Sequence, residues 1–259
     1  MPNGYEECWA HAAEFDIETG AVRPLLVNTD TWCSSGGLNV NGTLVQAGGW
    51  LGGGRAVRYL QPCDTCDWIE YPDTLSGQRW YSTQQILPDG SFIVVGGRGM
   101  MNYEFIPAEG ARNPVNYNLP LLVETTDKYP GAENNLYPHV HLSTDGNLFI
   151  LANDRAILFN PKSQKVVRRL PNLPGGARNY PGSGASAVLP IKLNRKVKKN
   201  KNIPVEVAVC GGAPKNSYEL AEKAKQFKPA LQTCGRIKIT DKNPTWKIET
   251  MPAPRVMGD

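Results

Sequence analysis

Residues 83–97, TQQILPDGSFIVVGG, settle the architecture of this chain. They read as a strand from Thr83 to Leu87, a turn at Asp89-Gly90, a second strand from Phe92 to Val95, and a break at Gly96-Gly97. Asx-Gly between two apolar runs is a strong hairpin signal, because both residue types tolerate the positive φ of a tight turn. A third strand, Glu104-Phe105-Ile106, then ends before Pro107. The same grammar occurs upstream. There Leu38 to Val40 leads through Asn41-Gly42 to Thr43–Ala47, then Gly48-Gly49, then Ala56–Leu60 ahead of Pro62. Downstream, Val140–Ser143, Asp145-Gly146, Leu148–Leu151 and Ala156–Phe159 ahead of Pro161 repeat it, with Ala152-Asn153 standing where the glycines stood. A fourth copy is stretched: Ala185–Leu193, a long basic loop, Val205–Val209, then Gly211-Gly212.

A four-stranded unit repeating at roughly 45–55 residues fits the blade of a β-propeller, so the expected class is all-β, a kelch-type propeller. Arg79-Trp80-Tyr81, Arg178-Asn179-Tyr180 and Arg255-Val256-Met257 each follow a Gly/Pro-containing turn and open a unit. His11 to Leu25 reads as the closing outer strand pair of an earlier unit, with Phe15-Asp16-Ile17 extended and a turn at Glu18-Thr19-Gly20 before Val22. About four blades plus partial blades at both ends leave exposed sheet edges. The expectation is therefore a single incomplete propeller domain over residues 1–259, part of a longer protein. Two insertions decorate it. Lys192–Lys201 is a basic loop, read either as solvated or as a patch for an anionic wall polymer or phospholipid. Residues 215–228 form a helical insertion, with an amphipathic helix from Ser217 to Phe227 packed over the excursion between Cys210 and Cys234.

With 259 residues and 41% hydrophobic content the chain can bury a sizeable core. Its net charge of +4 comes largely from the one basic run and does not indicate a nucleic-acid partner. No apolar stretch approaches about 18 residues, so no membrane span is expected. The start, Met1-Pro2-Asn3-Gly4, lacks the charged and apolar regions of a secretory signal. Asn41-Gly42-Thr43 is a glycosylation sequon. Among six cysteines, Cys63 and Cys66 have CxxC spacing, open to a redox pair, half a zinc site or a tight surface disulfide. No second CxxC follows, which disfavours zinc, and no thioredoxin-like strand–helix pattern surrounds the pair. A structural disulfide is the preferred reading, with Cys210–Cys234 as a second, leaving Cys8 and Cys33 to explain.

Repeat spacing singles out Cys33. It lies nine residues before Gly42 and fifteen before Gly48, and Tyr81 lies nine before Gly90 and fifteen before Gly96. Both therefore hold the entry of the innermost strand in adjacent units, near the central axis. Tyr137, nine before Gly146, is expected third in this ring, and Tyr180 fourth by the Arg-x-Tyr match. Taken singly, Cys33 reads as a buried small hydrophobe and Tyr81 as a core residue with a satisfied hydroxyl. Together, a thiol beside a phenol is what a Cys–Tyr thioether requires. Such a link puts sulfur ortho to the phenol oxygen, delocalises an unpaired electron and eases formation of a tyrosyl radical. With copper as a second one-electron carrier, such a site can perform two-electron oxidations.

Thr29-Asp30-Thr31-Trp32-Cys33-Ser34-Ser35-Gly36-Gly37 resembles the segment around the cross-linking cysteine of the glyoxal oxidase family, and Arg79-Trp80-Tyr81-Ser82-Thr83 the segment of its radical tyrosine. Asn134-Asn135-Leu136-Tyr137-Pro138, Val209-Cys210-Gly211-Gly212-Ala213-Pro214 and Thr233-Cys234-Gly235-Arg236-Ile237 also resemble family landmarks. The resemblance implies a larger, closed propeller in the full enzyme. It also implies a copper-radical oxidase that converts simple aldehydes such as glyoxal and methylglyoxal to acids, with O2 going to H2O2. Carried onto this chain, Cys33 is the thioether cysteine, and Tyr81 is the cross-linked radical tyrosine and one equatorial copper ligand. An extracellular or cell-wall location follows for the parent protein. The family's other copper ligands, a tyrosine directly followed by histidine and a further histidine, have no counterpart here. There is no Tyr-His dipeptide. His11 lies in the opening strand pair, while His139 and His141 share one strand face and form a conceivable metal pair away from the family's ligand positions. Copper binding is thus expected only where the full-length protein supplies the missing ligands, and the chain alone is expected to be inactive. The related galactose oxidase stacks a tryptophan over its cross-link; a gapless count puts Gly99 there, leaving Trp32 or Trp80 for that task. The alternative function is a non-catalytic kelch module that binds a protein or cell-wall polymer.

Overall fold

The computed structural model describes residues 12–127, 129, 133–193 and 203–256. The chain divides into two compact units, Met1–Asn118 and Leu119–Asp259. In the first, β1 (Ala12–Phe15) and β2 (Val22–Leu25) pair antiparallel. β3 (Ser35–Leu38), β4 (Leu44–Ala47), β5 (Val57–Leu60) and β6 (Ile69–Tyr71) then form one four-stranded meander. A second comprises β7 (Ser82–Ile86), β8 (Phe92–Gly96), β9 (Asn102–Phe105) and β10 (Tyr117–Asn118). In the other unit a short helix, α1 (Pro120–Thr125), precedes the meander β11 (His139–Leu142), β12 (Leu148–Ala152), β13 (Arg155–Asn160) and β14 (Lys165–Arg169). The last meander is β15 (Gly184–Val188), β16 (Glu206–Gly211), β17 (Thr233–Lys238) and β18 (Lys247–Thr250), with α2 (Ser217–Ala224) between β16 and β17. The chain is all-β, built of propeller blades: four antiparallel meanders and one strand pair among the described residues.

Asx turns move the strand ends away from their expected places. Asn39 Oδ1 accepts from the backbone N–H groups of Asn41 and Thr43, so the first hairpin turns at residues 39–42 and β3 stops at Leu38. Asp16 Oδ1 likewise accepts from Glu18 and Thr19, which ends β1 at Phe15 rather than Ile17. β15 ends at Val188, two residues ahead of Pro190, whose missing N–H cannot continue a ladder. α2 stops at Ala224 because Lys225 takes a left-handed conformation, and Phe227 beyond it is 82% exposed. His11, Cys8, Met257 and residues 194–201 of the basic loop lie outside the described residues.

Inner strands carry the cores. β8 and β12 are buried at every position, as strands covered on both faces must be. In the first unit Val45, Val57, Leu75, Phe92 and Val94 pack together between neighbouring meanders. In the second, Phe149, Leu158, Val207, Val209 and Ile237 do the same. Both proposed disulfides are present: Cys63–Cys66, and Cys210–Cys234, which links directly paired residues of β16 and β17.

The Gly-Gly breaks have a physical cause. The Gly49 N–H donates to the carbonyl of Arg79 at 3.1 Å, and a Cβ on Gly48, at φ +82°, would lie 2.0 Å from that oxygen. Gly212 N–H donates to Arg255 in the same way at 3.0 Å. These two pairs are thus sockets for the backbone of the arginine that opens the following repeat. Asn153 replaces this glycine in the third copy by taking φ +57°, its carbonyl accepting from Arg178 N–H and its own N–H donating to Asn179 Oδ1. The opening arginines also turn inward: Nη1 of Arg79 donates to Gly96 O at 2.7 Å, and Nη1 of Arg178 to Gly211 O at 2.5 Å.

Candidate functional site

Cys33 and Tyr81 precede β3 and β7, and both backbones are left-handed, at φ 58° and 64°. A side chain held there costs on the order of 1 kcal/mol or more, a cost that concentrates at functional positions. The Tyr81 N–H donates to the Cys33 carbonyl at 3.0 Å, and the hydroxyls of Ser35 and Ser82 stand 3.4 Å apart at the starts of β3 and β7. The two residues named from repeat spacing are therefore backbone neighbours. Tyr81 is buried (5% exposed), and Cys33 is half-buried and stands outside both disulfides.

The ladders extend this equivalence. Ser35, Ser82, His139 and Gly184 pair with Ala47, Gly96, Leu151 and Gly211. Continuing each register sets Cys33, Tyr81, Tyr137 and Ser183 against Gly49, Gly97, Asn153 and Gly212. All four residues on the inner-strand side have positive φ. The fourth member of the set is thus Ser183 and not Tyr180, which corrects the Arg-x-Tyr match. Arg178 keeps its socket, but Pro181-Gly182-Ser183 adds a turn closed by Ser183 N–H to Asn179 O, and Tyr180 instead bridges Leu136.

Aromatic rings cover Tyr81. The Trp80 ring centroid lies 4.4 Å from that of Tyr81 at 40°, Trp50 lies 3.9 Å from Trp80, and Trp32 lies 5.2 Å from Trp80. Of the two candidates for shielding the tyrosine, Trp80 makes the ring contact and Trp32 backs it. The Arg98 guanidinium sits 5.5 Å over Trp80, within cation–π range. Sequence reasoning missed Trp50 and Arg98, although the signal was there: each directly follows its Gly-Gly, so they are equivalent positions of adjacent units.

The described histidines are engaged elsewhere. His139 Nε2 bonds the Arg178 carbonyl at 3.0 Å, and His141 Nε2 meets the Ser186 hydroxyl at 2.7 Å. Burial pushes His139 down to about 4, only partly offset by the Arg178 carbonyl, and it lowers His141 too; the two rings pin β11 to the segment that leads into β15 and to β15 itself. No group of three His, Cys, Asp or Glu side chains able to hold a metal occurs among the described residues. Tyr81 alone offers one phenolate oxygen, which does not make a copper site, because affinity and geometry both need further donors. No helix among the described residues is long and apolar enough to cross a membrane.

A family model described as the glyoxal oxidase N-terminus matches residues 3–259. Aldehyde oxidase GLOX1 of Arabidopsis thaliana is 56% identical over 253 residues, covering 98% of this chain and 40% of that protein. Aldehyde oxidase GLOX of Vitis pseudoreticulata is 41% identical over 257 residues, covering 98% of this chain and 46% of the relative. The chain thus spans less than half the length of these relatives. A solved fungal alcohol oxidase of the AA5 family, in complex with copper, aligns with a TM-score of 0.60 at 11% identity, over 95% of this chain and 48% of that one. At that identity the likeness speaks for the fold alone.

Proposed function

This chain belongs to the glyoxal oxidase family, and on that premise we propose that it supplies the cross-linked tyrosine of a copper-radical aldehyde oxidase. The observation that carries the reading is the Tyr81 N–H to Cys33 O bond of 3.0 Å, between two strained residues at the heads of adjacent inner strands. Forming the thioether removes the thiol hydrogen and one ring hydrogen. That is two protons and two electrons, which O2 accepts to give H2O2. Sulfur conjugated with the ring then makes Tyr81 the easiest group in the site to oxidise, while burial and the Trp80 ring keep water from it. As a radical, Tyr81 would take a hydrogen atom from the hydrated aldehyde carbon.

The substrate class is simple aldehydes, glyoxal and methylglyoxal among them, oxidised to carboxylic acids at the expense of O2. Copper, which the family implies, would take Tyr81 as one donor and needs the others from beyond the described residues. Two disulfides fit an oxidising compartment, and an extracellular or cell-wall location is part of the proposal. The reading also takes the chain as one piece of a single, longer propeller.

The test is peroxide release on methylglyoxal by the full-length protein carrying this chain. Tyr81→Phe and Cys33→Ser should each bring it to background. Release unchanged in Tyr81→Phe would overturn the role given to Tyr81, and no release from the unmutated full-length protein would leave a non-catalytic propeller that binds a protein or a wall polymer.

A further inference from the structure

The ring contacts around Tyr81 lead outward to solvent. Trp32 is 54% exposed, its ring stands 5.2 Å from Trp80, and Trp80 stands 4.4 Å from Tyr81, which is 5% exposed. Trp50 forms a side branch, 3.9 Å from Trp80 and 5.9 Å from Trp32. We propose that Trp32 and Trp80 form an electron relay through which an oxidant that never enters the site oxidises Tyr81 by one electron. The proposal rests on the reading of Tyr81 as the radical residue.

Electron transfer falls steeply with distance, and rings in contact pass an electron far faster than one long jump from the surface to a buried phenol. The direction follows from chemistry. An indole is harder to oxidise than a thioether-substituted phenol, so a vacancy created at Trp32 runs inward and comes to rest at Tyr81. Two details of Trp80 favour passage over trapping. Its Nε1 is buried with no hydrogen-bond partner among the described residues, so its radical cation has no neighbouring base to take the proton. Arg98, 5.5 Å over the ring, disfavours positive charge on Trp80 and hurries the vacancy onward.

The steps balance. A one-electron oxidant, a high-potential metal complex, takes an electron from Trp32 and is itself reduced. Trp32 is refilled from Trp80, and Trp80 from Tyr81. The phenol proton leaves to solvent as Tyr81 becomes the neutral radical. The net change is one electron and one proton lost by Tyr81, and one electron gained by the metal complex.

The experiment is flash oxidation of the full chain with photogenerated tris(bipyridyl)ruthenium(III), read by transient absorption and by electron paramagnetic resonance of freeze-quenched samples. Tyr81→Phe assigns the phenoxyl signal. Trp80→Phe and Trp32→Phe should each lower its rate of formation by about tenfold or more, whereas Trp50→Phe should change it less. Phenylalanine keeps the aromatic packing, and circular dichroism checks the fold. Should Trp80→Phe not fold, the exposed Trp32→Phe carries the test. An unchanged phenoxyl rate in a folded Trp80→Phe or Trp32→Phe protein overturns the relay. Peptide mapping separates the two ideas. A joined Cys33–Tyr81 with a rate indifferent to both tryptophans sinks the relay and spares the site. An unjoined pair counts against the site, while the dependence on Trp32 and Trp80 still decides the relay.

Discussion

Removing the carboxylate of Glu104 should unfasten the segment that carries Trp80 and Tyr81. Arg79 and Glu104 are both fully buried. Arg79 Nε donates to Glu104 Oε1 at 2.8 Å, and Nη2 lies 2.7 Å from the same oxygen. Burial lowers the affinity of Arg79 for its proton, and the Glu104 charge opposes that shift. Oε2 meanwhile accepts from Ser76 N–H at 2.8 Å and from Asn113 Nδ2 at 2.8 Å. Glu104→Ala therefore strands a buried guanidinium and leaves several donors unmet at once. Breaking a buried pair from one side costs about 3–5 kcal/mol, against about 0–1 kcal/mol for an exposed one. A loss near the upper figure is expected here, because among the described residues Nη1 alone keeps acceptors, Gly96 O at 2.7 Å and Asn102 O at 3.4 Å, while Nε and Nη2 lose theirs. Urea unfolding followed by tryptophan fluorescence measures it, with Glu104→Gln as the milder variant of the same shape. The yield of joined Cys33–Tyr81 peptide should fall with stability, since Arg79 O is also the acceptor for Gly49 N–H. A Glu104→Ala loss below about 1 kcal/mol would refute the view that this pair fastens the site.

Gly49→Ala should destabilise the protein by several times more than Gly20→Ala in parallel thermal melts. A Cβ on Gly49 would lie 1.9 Å from Asp30 O, while Gly20, also at positive φ, has nothing within 4 Å. Acid should weaken the second unit through His139. Its folded pKa of about 4 lies below the ordinary 6.5, so the unfolded chain binds the extra proton between those values and stability falls as pH drops through that window. The full effect is roughly 3 kcal/mol near pH 4, and His139→Gln should flatten that limb of a pH–stability curve. Replacing Cys210 and Cys234 by serine opens a link spanning 24 residues and should cost roughly 3 kcal/mol in denaturant unfolding.

The blades were legible because strand alternation and Asx-Gly turns are local, whereas their ends were not, because side chains such as Asn39 and Asp16 capture backbone N–H groups just past the apolar run. Spacing placed Cys33, Tyr81 and Tyr137 correctly, since the stretch between inner-strand entry and turn is constant in those units. It failed at Tyr180 because three extra residues follow Arg178, and a match on the arginine alone does not see them. Which tryptophan covers Tyr81 depends on side-chain direction and emerged only with the fold. Alternation made the histidine pair a conceivable metal pair, yet one ring bonds the Arg178 carbonyl ahead of β15 and the other the Ser186 hydroxyl on it, contacts that no pattern along one strand announces.

Peptide mapping of the native, copper-replete protein that carries this chain tests the central claim most directly. Thiols are alkylated after denaturation, the protein is digested, and the peptides bearing Cys33 and Tyr81 are weighed. The account predicts a single joined species, lighter than the two peptides together by a pair of hydrogens. Separate peptides, with Cys33 carrying the alkyl label in full, would contradict it.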